Sequence, residues 1–165
     1  MGLRWRQGSA PVALALLVAL LSACGGGSVD AETAFYARDY ENSLPAFSDL
    51  AEAGDPVAQN FLGMHYYAGL GTRRDYALAL RWFERAALAG QPEAQRNLGM
   101  MYMRGYGVPV NKVLAYGWMR HAWDGGNTSA TPYLELLANQ ITPNQMQHAK
   151  KIVSELISKA DDNKG

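Results

Sequence analysis

The stretch Ala58 to Glu93, AQNFLGMHYYAGLGTRRDYALALRWFERAALAGQPE, is followed directly by Ala94 to Ser129, AQRNLGMMYMRGYGVPVNKVLAYGWMRHAWDGGNTS. The two stretches have the same length, and 13 of their 36 aligned positions are identical. Self-similarity at a fixed period of about 20 to 50 residues is the sequence signature of repeat architectures. This period therefore determines the fold class before any shorter motif is considered.

The identical positions within each repeat fall on two helical faces. Alanine, leucine, glycine and tyrosine recur at offsets 0, 4, 5 and 8, and alanine, tryptophan and alanine recur at offsets 21, 24 and 28. Such spacings place side chains on one side of a helix. Shared glycines at offsets 11, 13 and 32 interrupt the pattern. Each repeat is therefore predicted to be a helical hairpin, which must stack on its neighbours because one hairpin cannot bury its apolar face.

Residues that favour helix ends stand at the expected boundaries. Asp55, Asp75 and Asn111 can accept hydrogen bonds from the first free backbone N–H groups of a helix. The second helix of each unit ends at a glycine that can adopt the left-handed conformation, and these glycines are Gly54, Gly90 and Gly126. Both features agree with the hairpin boundaries.

The repeat pattern continues weakly on either side of the two full copies. Upstream, 39–54 matches the second half of a repeat and follows a short predicted helix at 31–38. Downstream, Ala130 and Leu134 keep the phase before the pattern ends, and Thr142 with Gln145 forms a capping box for a last amphipathic helix. We expect that helix to close the array.

The repeated motif A-Q-x-x-L-G-M-x-Y-x-x-G-x-G, followed by A-x-x-W-x-x-x-A-x-x-x-G, resembles the Sel-one-like repeat, a relative of the tetratricopeptide repeat. The resemblance implies an all-α fold, a right-handed α-solenoid of antiparallel helical hairpins with a C-terminal capping helix. It also implies a protein–protein adaptor, in bacteria often in the envelope. Some secreted relatives carry paired cysteines in every repeat and are linked to β-lactam binding or hydrolysis, whereas this chain has one cysteine.

That cysteine, Cys24, follows an uncharged apolar run of 11 residues, PVALALLVALL at 11–21. The run is typical of a signal-peptide core and is shorter than the roughly 20 residues that a membrane-spanning helix needs. The sequence Leu21-Ser22-Ala23-Cys24 resembles the lipobox of bacterial lipoproteins, which implies cleavage before Cys24 and a covalent lipid on its sulfur and amino group. Gly25, where an aspartate would signal inner-membrane retention, favours the outer membrane facing the periplasm. The alternative is a free thiol in a soluble exported protein.

These observations predict the organisation of the whole chain. The segments are a lipoprotein signal peptide at 1–23, a lipidated cysteine with a flexible tether at 24–30, a half repeat at 31–56, full repeats at 57–92 and 93–128, cap helices at 129–160 and a tail at 161–165. Without the leader, 13 basic residues stand against 15 acidic ones. Such a balanced charge does not favour nucleic acid as a partner.

Little in the sequence indicates a metal or catalytic site. His65, His121 and His148 have no second ligand at metal spacing, and the G-x-G motifs at the hairpin turns lack the other residues of a phosphate loop. Trp82 and Trp118 are equivalent and are expected in the core. Trp123 replaces an alanine and is expected to fill space left by Gly117. We therefore expect no enzyme activity, no metal and no cofactor besides the lipid on Cys24.

The partner-binding surface is sought on the first helix of each hairpin, which in the family tends to line the concave face. The candidates lie off the repeated packing stripe and are Asn60, Met64, Tyr67, Arg96, Met100, Met103 and Arg104. Methionine adapts to varied partners, and tyrosine and arginine are common at binding hot spots. Alternatively, Met64 and Met100, which are identical in both copies, pack one hairpin on the next.

The sequence thus favours a lipid-anchored envelope adaptor that binds another, unidentified envelope protein. Two other functions remain open. The groove could hold peptidoglycan or an exported polysaccharide, or the chain could act on β-lactams or cell-wall peptides.

Replacing Cys24 with serine tests the anchor. Cells fed an alkyne analogue of palmitate are expected to label the wild-type chain and to leave Cys24→Ser unlabelled, because the thiol is the acceptor of the lipid. Click chemistry followed by gel fluorescence measures the label. An unlabelled wild-type chain would leave Cys24 a free thiol.

Overall fold

Eight α-helices follow one another in residues 26–163, the part of the chain that the computed structural model describes, with side chains from Asp30 onwards. The helices are α1 (Gly26–Tyr36), α2 (Tyr40–Glu52), α3 (Pro56–Ala68), α4 (Tyr76–Leu88), α5 (Pro92–Arg104), α6 (Lys112–Asp124), α7 (Thr131–Ala138) and α8 (Pro143–Asp162), and a 3₁₀ turn spans Thr128–Ala130. No strand occurs among these residues. Cys24 and the leader lie outside the described residues.

Successive helices pack on one another from α1 to α6, and α8 then packs against α6. This arrangement confirms the all-α solenoid of helical hairpins expected from the repeat. Within 26–163, none of the helices has both the length and the apolar character that a bilayer crossing requires.

The helix ends are capped as the sequence predicts. The side chain of Asp55 accepts from the backbone N–H groups of Val57 and Ala58, and Asp75 and Asn111 each accept from the residue three positions on. The capping box of Thr142 and Gln145 is formed at the start of α8. The glycines that follow α2, α4 and α6 have φ values of 99°, 87° and 94°.

A repeated glutamine joins each hairpin to the one before it. Gln59 Nε2 donates to the carbonyl oxygen of Ala51 at 3.1 Å, and Gln95 Nε2 donates to that of Ala87 at 3.2 Å. Both side chains are buried. Each carbonyl already accepts from the backbone N–H of the glycine that follows its helix, Gly54 for Ala51 and Gly90 for Ala87, and the glutamine adds a second hydrogen bond from the next hairpin. This explains why the Ala-Gln pair opens both repeats.

Glycine lets the helices within and between hairpins approach closely. A Cβ atom at Gly63 would lie 2.6 Å from the Phe83 ring, and one at Gly99 would lie 2.9 Å from the Met119 side chain. Phe83 and Met119 are equivalent positions, and both are buried. The shared glycine is therefore part of the packing between the two helices of one hairpin.

Three expectations need correction. First, α1 begins at Gly26, so most of the segment 24–30, which was expected to be a flexible tether, is helical. Once the later turns of α1 are packed, the residues before them can extend the helix without the free-energy cost of nucleating a new one. Second, Trp123 does not fill the space at Gly117, because 41% of its surface is exposed and the Arg120 guanidinium lies over its ring. Third, α8 continues to Asp162, into the expected tail.

The space at Gly117 is occupied by the closing helix α8. A Cβ atom at Gly117 would lie 2.7 Å from both the carbonyl oxygen of Ala149 and the Cγ2 atom of Val153. Ala149 and Val153 are the fully buried residues of α8. The equivalent residue one repeat earlier is the exposed Arg81. The change from arginine to glycine at this position therefore leaves room for α8 to dock on α6.

Gly117→Val is expected to lower the free energy of unfolding by about 1–3 kcal/mol, because the new side chain pushes α8 away from α6. The matched variant Arg81→Val, at the equivalent exposed position, is expected to change it by less than about 0.5 kcal/mol. Urea denaturation followed by circular dichroism measures both. Equal stabilities for the two variants would contradict the role assigned to Gly117.

Candidate partner-binding groove

A cavity of about 320 Å³ opens between α3, α4 and α5. Its walls are mainly apolar or amphipathic side chains, and they are formed by Met64, Tyr67, Ala68, Leu70, Phe83, Arg96, Asn97 and Met100. We call it the methionine cavity. Two methionines at equivalent repeat positions face it, and Arg96 is the only charged residue in its wall.

A second cavity, of about 460 Å³, adjoins the first on the side of α1. It is lined by residues of α1, α3 and α5 and of the turn before α5, namely Glu32, Phe35, Tyr36, Val57, Asn60, Phe61, Met64, Gln91, Glu93, Arg96 and Asn97. We call it the N-terminal cavity. Met64, Arg96 and Asn97 belong to both cavities, so the two form one groove across the first helices of three successive hairpins, the first-helix groove.

The groove brings together five of the seven residues expected to bind a partner. Met64, Tyr67, Arg96 and Met100 line the methionine cavity, and Asn60 lines the N-terminal cavity with only 4% of its surface exposed. The other two lie beyond these walls. Met103 packs partly against the core cluster of α6 and the cap, and Arg104 is exposed at the end of α5.

A short chain of side-chain hydrogen bonds fixes the floor between the two cavities. Arg96 Nη2 donates to Asn97 Oδ1 at 2.9 Å, and Asn97 Nδ2 donates to Asn60 Oδ1 at 2.9 Å. These bonds cross from α5 to α3 and hold the guanidinium at the junction of the cavities. Sequence reasoning missed Asn97, whose counterpart is Phe61. The signal was present, because a polar residue replaced an aromatic one beside Arg96.

Three tyrosines form a cluster at the end of the methionine cavity. The Tyr76 and Tyr106 rings are stacked with centroids 4.7 Å apart, and the Tyr67 ring lies 5.5 Å from Tyr76 and 5.9 Å from Tyr106. Burial raises the pKa of Tyr67, the two neighbouring tyrosines add to this increase, and the positive charges of Arg104 and Arg74 oppose it. The Tyr67 hydroxyl is therefore a hydrogen-bond donor at neutral pH, with two guanidinium groups near enough to act on it.

The Sel1 repeat family model matches residues 56–91 and 92–127. The chain contains two Sel1 repeats. The matched Sel1 repeats begin at the first residues of α3 and α5, one residue before the boundaries expected from the sequence. Solenoids of Sel1 repeats are generally protein-interaction folds.

Two solved structures show the same fold. A protective antigen present in uropathogenic Escherichia coli strains, displaying an SLR fold, matches 84% of this chain with 27% identity and a TM-score of 0.74. A Sel1 repeat protein from Oxalobacter formigenes matches 58% of this chain with 41% identity and a TM-score of 0.56. The chain spans 31% of the first protein and 28% of the second. A search of curated proteins finds no match.

A buried Ser43–His65 pair lies behind the groove and joins α2 to α3. His65 Nδ1 lies 2.7 Å from the carbonyl oxygen of Leu70, which can only accept, so Nδ1 carries the proton. Nε2 then accepts from the Ser43 hydroxyl at 3.2 Å. Both side chains are fully buried, so a substrate cannot reach this serine and histidine. The pair instead fixes the turn that carries Leu70 into the methionine cavity.

No other chemistry is assembled in the groove. Within residues 30–163 no group of three or more histidine, cysteine, aspartate or glutamate side chains is arranged to hold a metal ion. His121 Nε2 lies 3.2 Å from the Ser154 hydroxyl between α6 and α8, outside the groove. The groove can therefore contact apolar groups through its methionines and an anionic group through Arg96.

The buried histidine is expected to make the stability depend on pH. Burial lowers the pKa of His65 below its ordinary value of 6.5, and the hydrogen bond to Leu70 opposes this shift. Because the unfolded chain then binds more protons than the folded one, the free energy of unfolding falls as the pH decreases below about 6.5. Chemical denaturation at pH 7.5 and pH 5.5 measures this loss.

The equivalent positions 36 residues further along the chain supply a variant for this measurement. The counterparts of Ser43 and His65 are Ala79 and Met101, which are buried in one cluster. Ser43→Ala/His65→Met is expected to fold and to lose less stability at pH 5.5 than the wild type. His148→Gln, at an exposed histidine, is expected to keep the wild-type dependence. An unchanged pH dependence in the double variant would show that His65 is not its source.

Proposed function

We propose that this chain is a lipid-anchored adaptor of the bacterial cell envelope that binds another protein through the first-helix groove. The observation that carries this proposal is the groove itself, which runs across three hairpins and is lined by side chains outside the shared packing stripe. The covalent lipid on Cys24 would hold the protein at the membrane, and the solenoid would select the partner. Its place in the outer membrane, facing the periplasm, belongs to the same proposal.

The shape of the groove favours a protein partner. It consists of two adjoining cavities with a combined length that spans α1, α3 and α5. A segment of polypeptide can extend across successive hairpins and place side chains in both cavities, as repeat proteins commonly bind along their extended surfaces. Each cavity lies near the lower end of the range of about 300–1,000 Å³ that is usual for small-molecule sites.

The residues of the groove also favour a protein partner. Met64 and Met100 are flexible and polarisable, and they can repack around different apolar side chains. Tyr67 and Arg96 supply the residue types that contribute most to binding energy at protein interfaces. A polysaccharide site would instead need many hydrogen-bonding groups along its walls, whereas the methionine cavity has few.

The Cys24 lipid would concentrate the groove near the membrane surface. A single acyl chain gives only marginal and reversible membrane binding, while two or more chains hold a protein stably. Between Cys24 and the first packed residues of α1 the chain is short, because Ala31 is already buried. The groove would therefore stay close to the membrane and meet partners that are also bound there.

Photocrosslinking in cells tests the partner-binding role. The crosslinker benzoylphenylalanine is introduced in place of Tyr67, inside the groove, or in place of Trp123, an exposed aromatic outside it. We expect a defined protein to crosslink from position 67 and not from position 123. Adding Met64→Ala/Met100→Ala is expected to weaken binding roughly thirtyfold and to lower the yield accordingly, since two contacts of roughly 1 kcal/mol each are removed.

A folding control and the outcomes of the crosslinking decide between the functions. Circular dichroism must show that the double methionine variant remains folded. Crosslinking from position 123 alone, or an undiminished yield with the methionine variant, would place the partner on another face. Recovery of the product crosslinked from position 67 mainly in purified sacculi would support the peptidoglycan alternative. Turnover of nitrocefin or muropeptides by the protein would support the enzyme alternative.

A further inference from the structure

Charge is distributed unevenly along the first-helix groove. The N-terminal cavity is lined by Glu32 on α1 and by Glu93 in the first turn of α5, where Glu93 accepts a hydrogen bond from Gln91. Arg96 stands at the junction of the two cavities, and Arg74 and Arg104 lie beside Tyr67 at the other end. The groove therefore has acidic side chains in the N-terminal cavity and basic side chains from Arg96 to the tyrosine cluster.

The three arginines at the basic end lack an acidic partner within the described residues. No carboxylate of residues 30–163 lies within salt-bridge distance of Arg74, Arg96 or Arg104. Arg96 uses one of its five N–H donors on Asn97, and Arg74 lies over the Tyr76 ring at 5.4 Å from its centroid. Most of their hydrogen-bonding capacity remains for a ligand.

Arg96 borders an apolar cavity, and Arg74 and Arg104 lie outside its wall, near Tyr67. The methionine cavity, of about 320 Å³, has room for one or two large side chains between Met64, Met100 and Phe83. The Tyr67 hydroxyl, which remains protonated at neutral pH, adds a donor on the same side. A ligand that satisfies this end must carry an apolar group and an anionic group a few ångströms apart.

From these observations we propose that the groove binds a peptide segment of the partner in which a large apolar residue lies beside an acidic residue. The apolar side chain enters the methionine cavity, and the neighbouring carboxylate pairs with Arg96 and with Arg104 or Arg74. The opposite end of the segment, at Glu32 and Glu93, favours a basic residue, so the charge gradient also fixes the direction of the peptide. This inference rests on the proposed function, because it specifies the occupant of the same groove.

Selection from a displayed library of random 12-residue peptides tests this preference. The full chain, purified in detergent, is immobilised and used to enrich binders, which are then synthesised and measured by fluorescence anisotropy. We expect the enriched peptides to share an apolar residue beside an aspartate or glutamate. Their affinity should fall several-fold between low and high salt, because surface charge pairs are screened. Enrichment of basic or uncharged peptides would overturn the inference.

Charge reversal at the basic end provides the matched comparison. Arg96→Glu/Arg104→Glu is expected to weaken the enriched peptide at least tenfold. Arg81→Glu/Arg85→Glu makes the same change in net charge on exposed positions of α4 and is expected to change the affinity less than twofold. Equal effects of the two variants would mean that net charge alone governs binding and would overturn the proposed pairing.

The peptide itself gives a test that does not depend on the fold of a variant. Replacing the acidic residue of the enriched peptide with its amide should weaken binding to the wild-type chain about as much as the double arginine variant does. An unchanged affinity would contradict the pairing.

If no peptide is enriched while position 67 still crosslinks a protein in cells, the adaptor role stands and the peptide inference is wrong. If acidic and apolar peptides bind but no cellular protein crosslinks, the peptide preference stands and the adaptor role is wrong.

Discussion

The apolar face of a 36-residue hairpin must be covered by a neighbouring element, and the rest of this structure depends on that constraint. The buried positions, within and between hairpins, are consequently the ones that recur. Phe47, Phe83 and Met119 occupy one such position in three successive units, and all are buried. The glycines that face Phe83 and Met119 let the helices approach to a distance at which these side chains fill the interior. The repeat length is thus maintained by packing, because an insertion in one unit would move all of its buried residues away from their partners.

The same constraint explains how the interior tolerates different chemistry in different units. Ser43 and His65 occupy the layer that contains Ala79 and Met101 one repeat later, and Ala115 and Leu137 one repeat after that. The first pair is polar and hydrogen-bonded, and the other two are apolar. In the polar pair each buried polar side chain is hydrogen-bonded, and the apolar pairs contain no polar side-chain group. Neither arrangement therefore leaves a buried polar group without a hydrogen bond. The phase of the repeat therefore extends into α7, although α7 no longer resembles the first helix of a repeat in sequence.

The sequence predicted the hairpins, their caps and most groove residues because these depend on local spacing and on the equivalence of two copies. It predicted less well where the deciding contact is made by a distant segment. The role of Gly117 depends on α8, which lies some thirty residues further along the chain and has no counterpart in the repeats. Likewise Met103 shares a face with Met100 but lies over the cap, so its packing depends on where α6 and α7 place their side chains. Asn97 was missed because its importance comes from hydrogen bonds across two helices.

Equivalent positions are conserved between the repeats where they pack in the core and differ where they line the groove. The first set of residues holds the solenoid together, and the second set gives it specificity. At many core positions the two Sel1 repeats keep the same residue, as at Ala58 and Ala94, Leu62 and Leu98, and Ala86 and Ala122, since each must fit its neighbour. On the groove side the equivalent residues differ in character: Asn60 corresponds to Arg96, and Phe61 to Asn97. Met64 and Met100 are the groove residues that are the same in both repeats. A stack of identical units would present a uniform surface, whereas these differences produce an acidic end, an apolar centre and a basic end. The groove therefore gains a direction from the differences between equivalent residues of the two repeats.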